Sequence, residues 1–297
     1  MLQFLIDTLL RATDLALIAF GLSLVYGLVK FPNIAHVQYA MLGAYLTWGL
    51  AAAGLPLVLA LPLAAVLVGV VTLLLQHLVF QRLLASGPAI AMIGSLAIAM
   101  LLVAAIQGSA GTFPRMFELP LQAPIVIGEA RITHTQLYFF GVTLALLVGF
   151  TVALFHTRLG RAMRALAGNP ALANASGLHG ARITRLVTFA SGAIAGLGGG
   201  LLALSTGAHI NLGHDLLLPV FAAAILGGLG NPMGAVAGAV LIALTETLVT
   251  NLNFGWLLGR EMAFLPVSYI SAAAFLILLL ALLFKPYGLF DREVRRV

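Results

Sequence analysis

The sequence predicts an all-α polytopic membrane protein, and three observations predict it. Hydrophobic residues make up 62% of the 297 and charged residues only 8%, against roughly 25% charged in a soluble domain. Mean hydropathy is +1.11. Uncharged runs recur at the length of a membrane span, ~20 residues for ~30 Å of hydrocarbon, and no polar segment between them reaches the size of a soluble domain. The expected organisation is one transmembrane domain over 1–297, with eight to nine helical segments, interrupted helices and an inverted repeat. A basic loop, 157–185, lies within it. Fifteen Lys+Arg against nine Asp+Glu give a net charge of +6, which membrane-flanking loops produce without any nucleic-acid partner. The chain has no cysteine, so disulfides, thiolate metal sites and thiol catalysis are excluded. Asp7, Arg11 and Asp14 interrupt the first apolar stretch, so the N-terminus does not read as a cleavable signal.

Taken in order, Leu15–Val29 between Asp14 and Lys30 is the first span, with a start a turn or two earlier. The uncharged run from Phe31 to Gln81 is too long for one helix, and Gly54-Leu55-Pro56 divides it in two. Ser86-Gly87-Pro88 opens a fourth span, Ala89 to Gly108. Ser109 to His134 sets Arg115 and Arg131 against Glu118 and Glu129, the balanced charge of an external loop. Thr135 to His156 is the fifth span. Leu186 to Gly207 follows the basic loop and carries Gly192, Gly196 and Gly200 in one stripe, as in GxxxG helix packing; packing within the chain is favoured over a subunit interface. Leu216 to Leu226 ends at Gly227-Gly228-Leu229-Gly230-Asn231-Pro232 and spans only about 16 Å as a helix, too short to cross. Gly234 to Thr250 comes next, and Met262 to Phe284 is the final span. Lys285, Arg292, Arg295 and Arg296 mark the tail as cytoplasmic. Counting crossings back from the basic loop puts Lys30 and Arg82 on the same side as that loop and the N-terminus outside.

The basic loop carries Arg158, Arg161, Arg164, Arg182 and Arg185 and no acidic residue. Asn169-Pro170 is a helix-start signal, an Asn able to cap and a Pro at the first helical position, and Gly177 sits where a glycine ends a helix. The short helix between them, of small residues around Ala173, is either a plain connector or an element that docks on a partner.

An internal repeat is also legible. Asn33-Ile34-Ala35-His36 and Asn211-Leu212-Gly213-His214 share N-[IL]-[AG]-H, and Gly-x-Pro follows each, at Gly54 and Gly230. By parity the copies start on opposite sides, as in inverted-repeat transporters whose substrate passes between the halves. Asn33, His36, Asn211 and His214 are therefore candidates for the translocation pathway; the alternative is that the asparagines cap helices and the histidines lie in the headgroups.

Chemistry on this chain alone is narrow. No GxxxxGK[ST] loop exists and the only lysines are Lys30 and Lys285, so the sequence predicts no ATP hydrolysis here. HExxH, GxSxG and paired carboxylates on a helix face are absent too, so no catalytic residue, metal site or cofactor is expected. Glu246 is the one acid well inside a span, either a proton or cation site or, the favoured reading, a satisfied interfacial carboxylate.

Three stretches, GLSLVYGLVKFPNIAHVQYAMLGAY, GRAMRALAGNPALANASGL and PVFAAAILGGLGNPMGAVAGA, resemble in their order the permeases of ABC importers for branched-chain amino acids and related small amides. The resemblance covers about Leu15 to Leu283. It implies a type II-like importer subunit in a bacterial inner membrane. Its implied partners are a second homologous permease, two cytoplasmic ATP-binding subunits and a periplasmic substrate-binding protein. It also implies that Arg161, Arg164, Asn169, Pro170, Ala173 and Gly177 belong to the segment coupled to the ATPase. Permeases of such importers often carry an EAAxxxG-like pattern there; this chain has Ala171-Leu172-Ala173 and lacks the glutamate, which leaves Arg161 or Arg164 to supply a polar contact. A secondary transporter or channel, and a membrane scaffold, are the other function classes open to the residues.

Overall fold

The computed structural model describes residues 1–119, 123–252, 270–285 and 288–289. Its helices are α1 (Leu2–Val29), α2 (His36–Ala52), α3 (Leu57–Leu75), α4 (Gln81–Ala85), α5 (Pro88–Ala110), α6 (His134–His156), α7 (Arg158–Gly168), α8 (Pro170–Ala175), α9 (Gly180–Thr206), α10 (Leu212–Gly227), α11 (Pro232–Asn251) and α12 (Ile270–Phe284). A π-helical turn, Gln76–Phe80, joins α3 to α4. Two short antiparallel strands, β1 (Ile125–Ile127) and β2 (Ala130–Ile132), lie between α5 and α6 with Ile125 opposite Ile132. The protein is thus an all-α polytopic membrane protein, with six helical stretches among the described residues long and apolar enough to cross: α1, α3 through α4, α5, α6, α9 and α11.

Most boundaries follow local chemistry. Gly54 at φ +93° ends the α2 side of the long apolar run and Pro56 opens α3. Pro88 and Pro232 stand at the first turns of α5 and α11, where a missing N–H costs nothing. Thr133 and Gln136 form a capping box at the start of α6. Several starts depart from the sequence reading: α9 begins at Gly180 and α10 at Leu212, and α1 starts at Leu2 and runs straight through Asp7, Arg11 and Asp14. The charges are tolerated because Arg11 pairs with Asp14 one turn on and with Glu246 on α11. The first part of the final span, 262–269, and the tail arginines Arg292, Arg295 and Arg296 lie outside the described residues.

The core is built from α1, α2, α9, α10 and α11, where Leu15, Ile18, Leu22, Met41, Leu212, Leu216 and Val220 are all buried. The helices around it keep apolar faces outward: Leu63 and Leu74 on α3, Ile93 and Leu101 on α5, Val148 and Val152 on α6. Such a belt is at home only in hydrocarbon.

Two helices of the core are short. α2 has 17 residues and α10 has 16. His36, the first residue of α2, lies beside the Ile18 carbonyl, about 16 Å along α1 from its Val29 end at ~1.5 Å per residue. α2 therefore begins deep in the bundle, after a re-entrant segment, 30–35. α10 begins against the first turn of α2, where Gly213 meets Gln38, and it runs back to Gly227, so that Gly230 just beyond it meets Gly27 near the end of α1. Two short helices thus start near each other inside the bundle and leave it in opposite directions.

Candidate functional site

Close backbone approach fixes where these short helices sit. A Cβ built on Gly43 would lie 2.0 Å from the Gly196 carbonyl oxygen, and one on Gly199 would lie 1.9 Å from that of Ala40. The rest of the stripe faces α2 and α3 of the same chain: Gly192 abuts Thr72, Gly196 abuts Val68 and Gly200 abuts Thr47. Each gap would be closed by a single methyl group.

The first N-[IL]-[AG]-H copy is consumed by its own chain. Asn33 Oδ1 accepts the Ala35 N–H at 3.1 Å, and the Ile34 N–H donates to Ser95 Oγ at 2.9 Å. The His36 N–H donates to the Asn33 carbonyl at 3.1 Å. The His36 ring is fully buried, with Nε2 3.1 Å from the Ile18 carbonyl, so Nε2 carries the proton. These contacts turn the re-entrant segment into α2 as an Asx-type turn does, while His36 Nδ1 stays buried without a partner among the described residues.

The second copy is open. Asn211 and His214 are exposed on the isolated chain, while Leu212 and Gly213 between them are buried. Asn211 makes no capping hydrogen bond. Among the described residues, the Gly213 and His214 N–H groups at the start of α10 meet no acceptor. Gln38 links the two copies, its Nε2 lying 3.5 Å from His214 Nδ1. A Cβ on Gly213 would come within 2.1 Å of Gln38 Oε1, so the glycine is what lets this amide rest on α10. Gln38 Oε1 is buried and unpartnered among the described residues. Asp215, next to His214, exposes 68% of its side chain and lies 4.0 Å from His209 Nδ1. Pro219 also leaves the Asp215 carbonyl without its helical amide partner. Sequence reasoning missed Gln38 and Asp215. Their available signal was a polar amide inside the long apolar run and an acid at the first turn of the second copy.

Glu246 has a partner at long range. Arg11 Nε donates to its Oε2 at 2.6 Å, and Arg11 Nη1 lies 3.7 Å from Asp14 Oδ2. Glu246 is 2% exposed and Arg11 30% exposed, and the pair joins α1 to α11.

The basic loop folds into a corner. A Cβ on Gly160 would lie 2.0 Å from the Leu154 carbonyl oxygen, which is how α7 can double back under α6. Thr157 Oγ1 accepts the Gly160 N–H at 3.1 Å. Arg161 and Arg164 turn toward α6: Arg161 donates to the His156 carbonyl at 3.3 Å, and Arg164 donates to the Leu154 carbonyl and covers the Phe155 ring. Both satisfy the last carbonyls of α6, where cations also meet the negative end of the helix dipole. Asn169 Oδ1 caps α8 by accepting the Leu172 N–H at 3.0 Å, Pro170 fills the first helical position, and Gly177 at φ +87° ends the turn. Ala173 points inward, 5% exposed, into an apolar cluster with Met163, Leu166 and Ile183. Its neighbour Leu172 is 64% exposed and is the side chain that α8 presents. Nothing in the sequence set Leu172 apart from the buried leucines around it.

Six membrane-length stretches, an apolar outer belt, two helices that begin inside the bundle and one basic surface loop define a multi-spanning helical membrane protein organised around a polar insert. The model of the family described as "Branched-chain amino acid transport system / permease component" matches residues 4–285, and the chain belongs to that family. The high-affinity branched-chain amino acid transport system permease protein BraD of Pseudomonas aeruginosa is 29% identical to it, over 100% of this chain and 98% of BraD. The corresponding LivH protein of Escherichia coli K12 is 28% identical, over 100% of this chain and 97% of LivH. A solved structure, PsaBC from Streptococcus pneumoniae in complex with Fab, aligns over 96% of this chain and 92% of that chain at 15% identity with a TM-score of 0.48, a likeness too distant to bear on function.

Proposed function

We propose that this chain is one of two permease subunits of an ATP-driven importer for branched-chain amino acids or related small amino acids and amides. It sits in a bacterial inner membrane with the basic loop and C-terminus in the cytoplasm. A second homologous permease completes the pathway, a periplasmic protein delivers substrate, and two ATP-binding subunits drive the cycle, so hydrolysis resides on those partners. Family membership supports the substrate class.

The observation that carries the coupling reading is α8: a short helix capped at both ends, seated on α7 and α9 through Ala173, with Leu172 64% exposed among arginines. An exposed leucine on a rigid, basic, water-facing loop suits an apolar groove with an acidic rim on an ATPase. In this reading Asn169, Pro170, Ala173 and Gly177 shape the helix. Arg161 and Arg164 hold it to the end of α6, so that a push on α8 reaches the bundle as a rigid-body movement. The second observation is Asp215. A carboxylate facing lipid costs about 3 kcal/mol, so its exposed face is better placed against a second permease or a watery path.

The test is isolation of the protein from its host membrane, followed by Leu172→Asp in the reconstituted transporter. ATP-binding subunits should co-purify with the wild type. Leu172→Asp should uncouple, leaving the permease folded while ATP-driven uptake falls at least tenfold. A lone protein that transports without ATP-binding subunits would overturn the reading.

A further inference from the structure

The open start of α10 is built for more than the end of a helix. It offers two N–H groups without acceptors among the described residues, at Gly213 and His214, at the positive end of a 16-residue dipole. A single uncapped terminus is common on a protein surface. This one lies about 21 Å along α10 from its Gly227 end, deep enough in the bundle that unsatisfied amides need a partner. Gln38, only 3% exposed, rests on Gly213 with Oε1 unpartnered and Nε2 directed at His214. Such a buried amide with a free acceptor is costly unless a guest completes it. The Asp215 carboxylate supplies the opposite charge from the same first turn. Helical side chains lean toward the N-terminus, which brings this carboxylate toward the end that bears the free amides.

We infer that Gln38, Gly213, His214 and Asp215 form half of a zwitterion site that holds an α-amino acid in transit. The substrate carboxylate takes the Gly213 and His214 N–H groups. Its ammonium group takes the Asp215 carboxylate and Gln38 Oε1. The second permease, against the exposed face, supplies the other half and the pocket for the side chain. The inference rests on the importer reading above and adds to it the groups that recognise the backbone of the amino acid. The groups are few and the site is shared, which suits brief occupancy. A buried, fully paired carboxylate would hold an ammonium ion too tightly for release.

The experiment uses the complete transporter with its binding protein in proteoliposomes, with leucine as substrate. Two quantities are read together: leucine uptake, and ATP hydrolysis stimulated by the loaded binding protein. Asp215→Asn should lower uptake at least tenfold while stimulated hydrolysis stays within twofold, and Asp215→Glu should restore most of the uptake. Gly213→Ala, whose methyl displaces the Gln38 amide, should repeat the Asp215→Asn pattern. A leucine-dependent slowing of thiol labelling at Leu218→Cys, one turn along the same exposed face, should vanish in Asp215→Asn. Undiminished uptake by Asp215→Asn beside an active wild type would overturn the site alone. A wild-type assembly that imports no amino acid would overturn the importer reading and the site with it.

Discussion

The two N-[IL]-[AG]-H copies carry the same residue pattern and have opposite fates. Around Asn33 and His36 every polar group named in the motif turns into the chain: Asn33 builds a turn, Ser95 closes it, and His36 is sealed against α1. Around Asn211 and His214 the same pattern leaves side chains exposed and amides free. The difference lies in what surrounds them. α9 passes within backbone contact of α2 at Gly43–Gly196 and Ala40–Gly199, which holds α2 in place, and Gly21 of α1 lies against the His36 ring. α10 has Gln38 on one side and leaves Asn211, His214 and Asp215 exposed on the other, with His209 beside Asp215. A repeated motif thus fixes how a helix starts inside the bundle, and the neighbouring helices decide whether that start is structural or available.

The comparison can be broken most severely where the roof is made. Gly199→Leu places a side chain where the Ala40 carbonyl oxygen already stands, and overpacking of backbone against backbone costs about 3 kcal/mol or more. The folded protein should be lost from detergent extracts, and an unaltered melting profile would mean that the first copy is not held as described. Next comes the clamp joining α1, which underlies His36, to α11, which follows the second copy. Glu246→Ala leaves Arg11 facing a buried vacancy and should destabilise by about 3 kcal/mol, whereas Arg11→Leu with Glu246→Leu should recover most of that loss. Thermal melting of the wild type and these two variants checks it, and equal melting temperatures would remove the clamp. The comparison is sharpened by the matched pair His36→Ala and His214→Ala. The first removes a buried ring and its bond to the Ile18 carbonyl and should cost about 2 kcal/mol. The second touches only an exposed ring and should stay within about 0.5 kcal/mol. Equal costs would erase the distinction between the copies.

Much of this architecture was legible in local chemistry. Gly54-Leu55-Pro56 marked the break between α2 and α3, Asn169-Pro170 and Gly177 marked the ends of α8, and the Gly192 stripe marked a close helix contact, because each is set by backbone rules acting within a few residues. The arginines of the loop were legible as basic flanks, but their turning back onto the α6 carbonyls was not. The Arg11–Glu246 pair joins residues far apart in sequence and leaves no trace near either one, so the sequence reading started α1 only a turn or two before Leu15. The split between His36 and His214 was hidden for the same reason: what buries the first is α9 and α1, not anything adjacent to it. Ala173 and Leu172 show the limit within one turn of helix, since small size pointed to docking and burial assigns exposure to the leucine.

The central claim is that the second copy opens onto the pathway while the first is sealed inside the subunit. A chain with no native cysteine allows it to be tested directly, with His36→Cys and His214→Cys in the assembled transporter in native membranes. A small water-soluble thiol reagent should label His214→Cys at a rate that changes when ATP and the loaded binding protein are supplied, and should leave His36→Cys unlabelled. Labelling of His36→Cys with no reaction at His214→Cys would contradict the account.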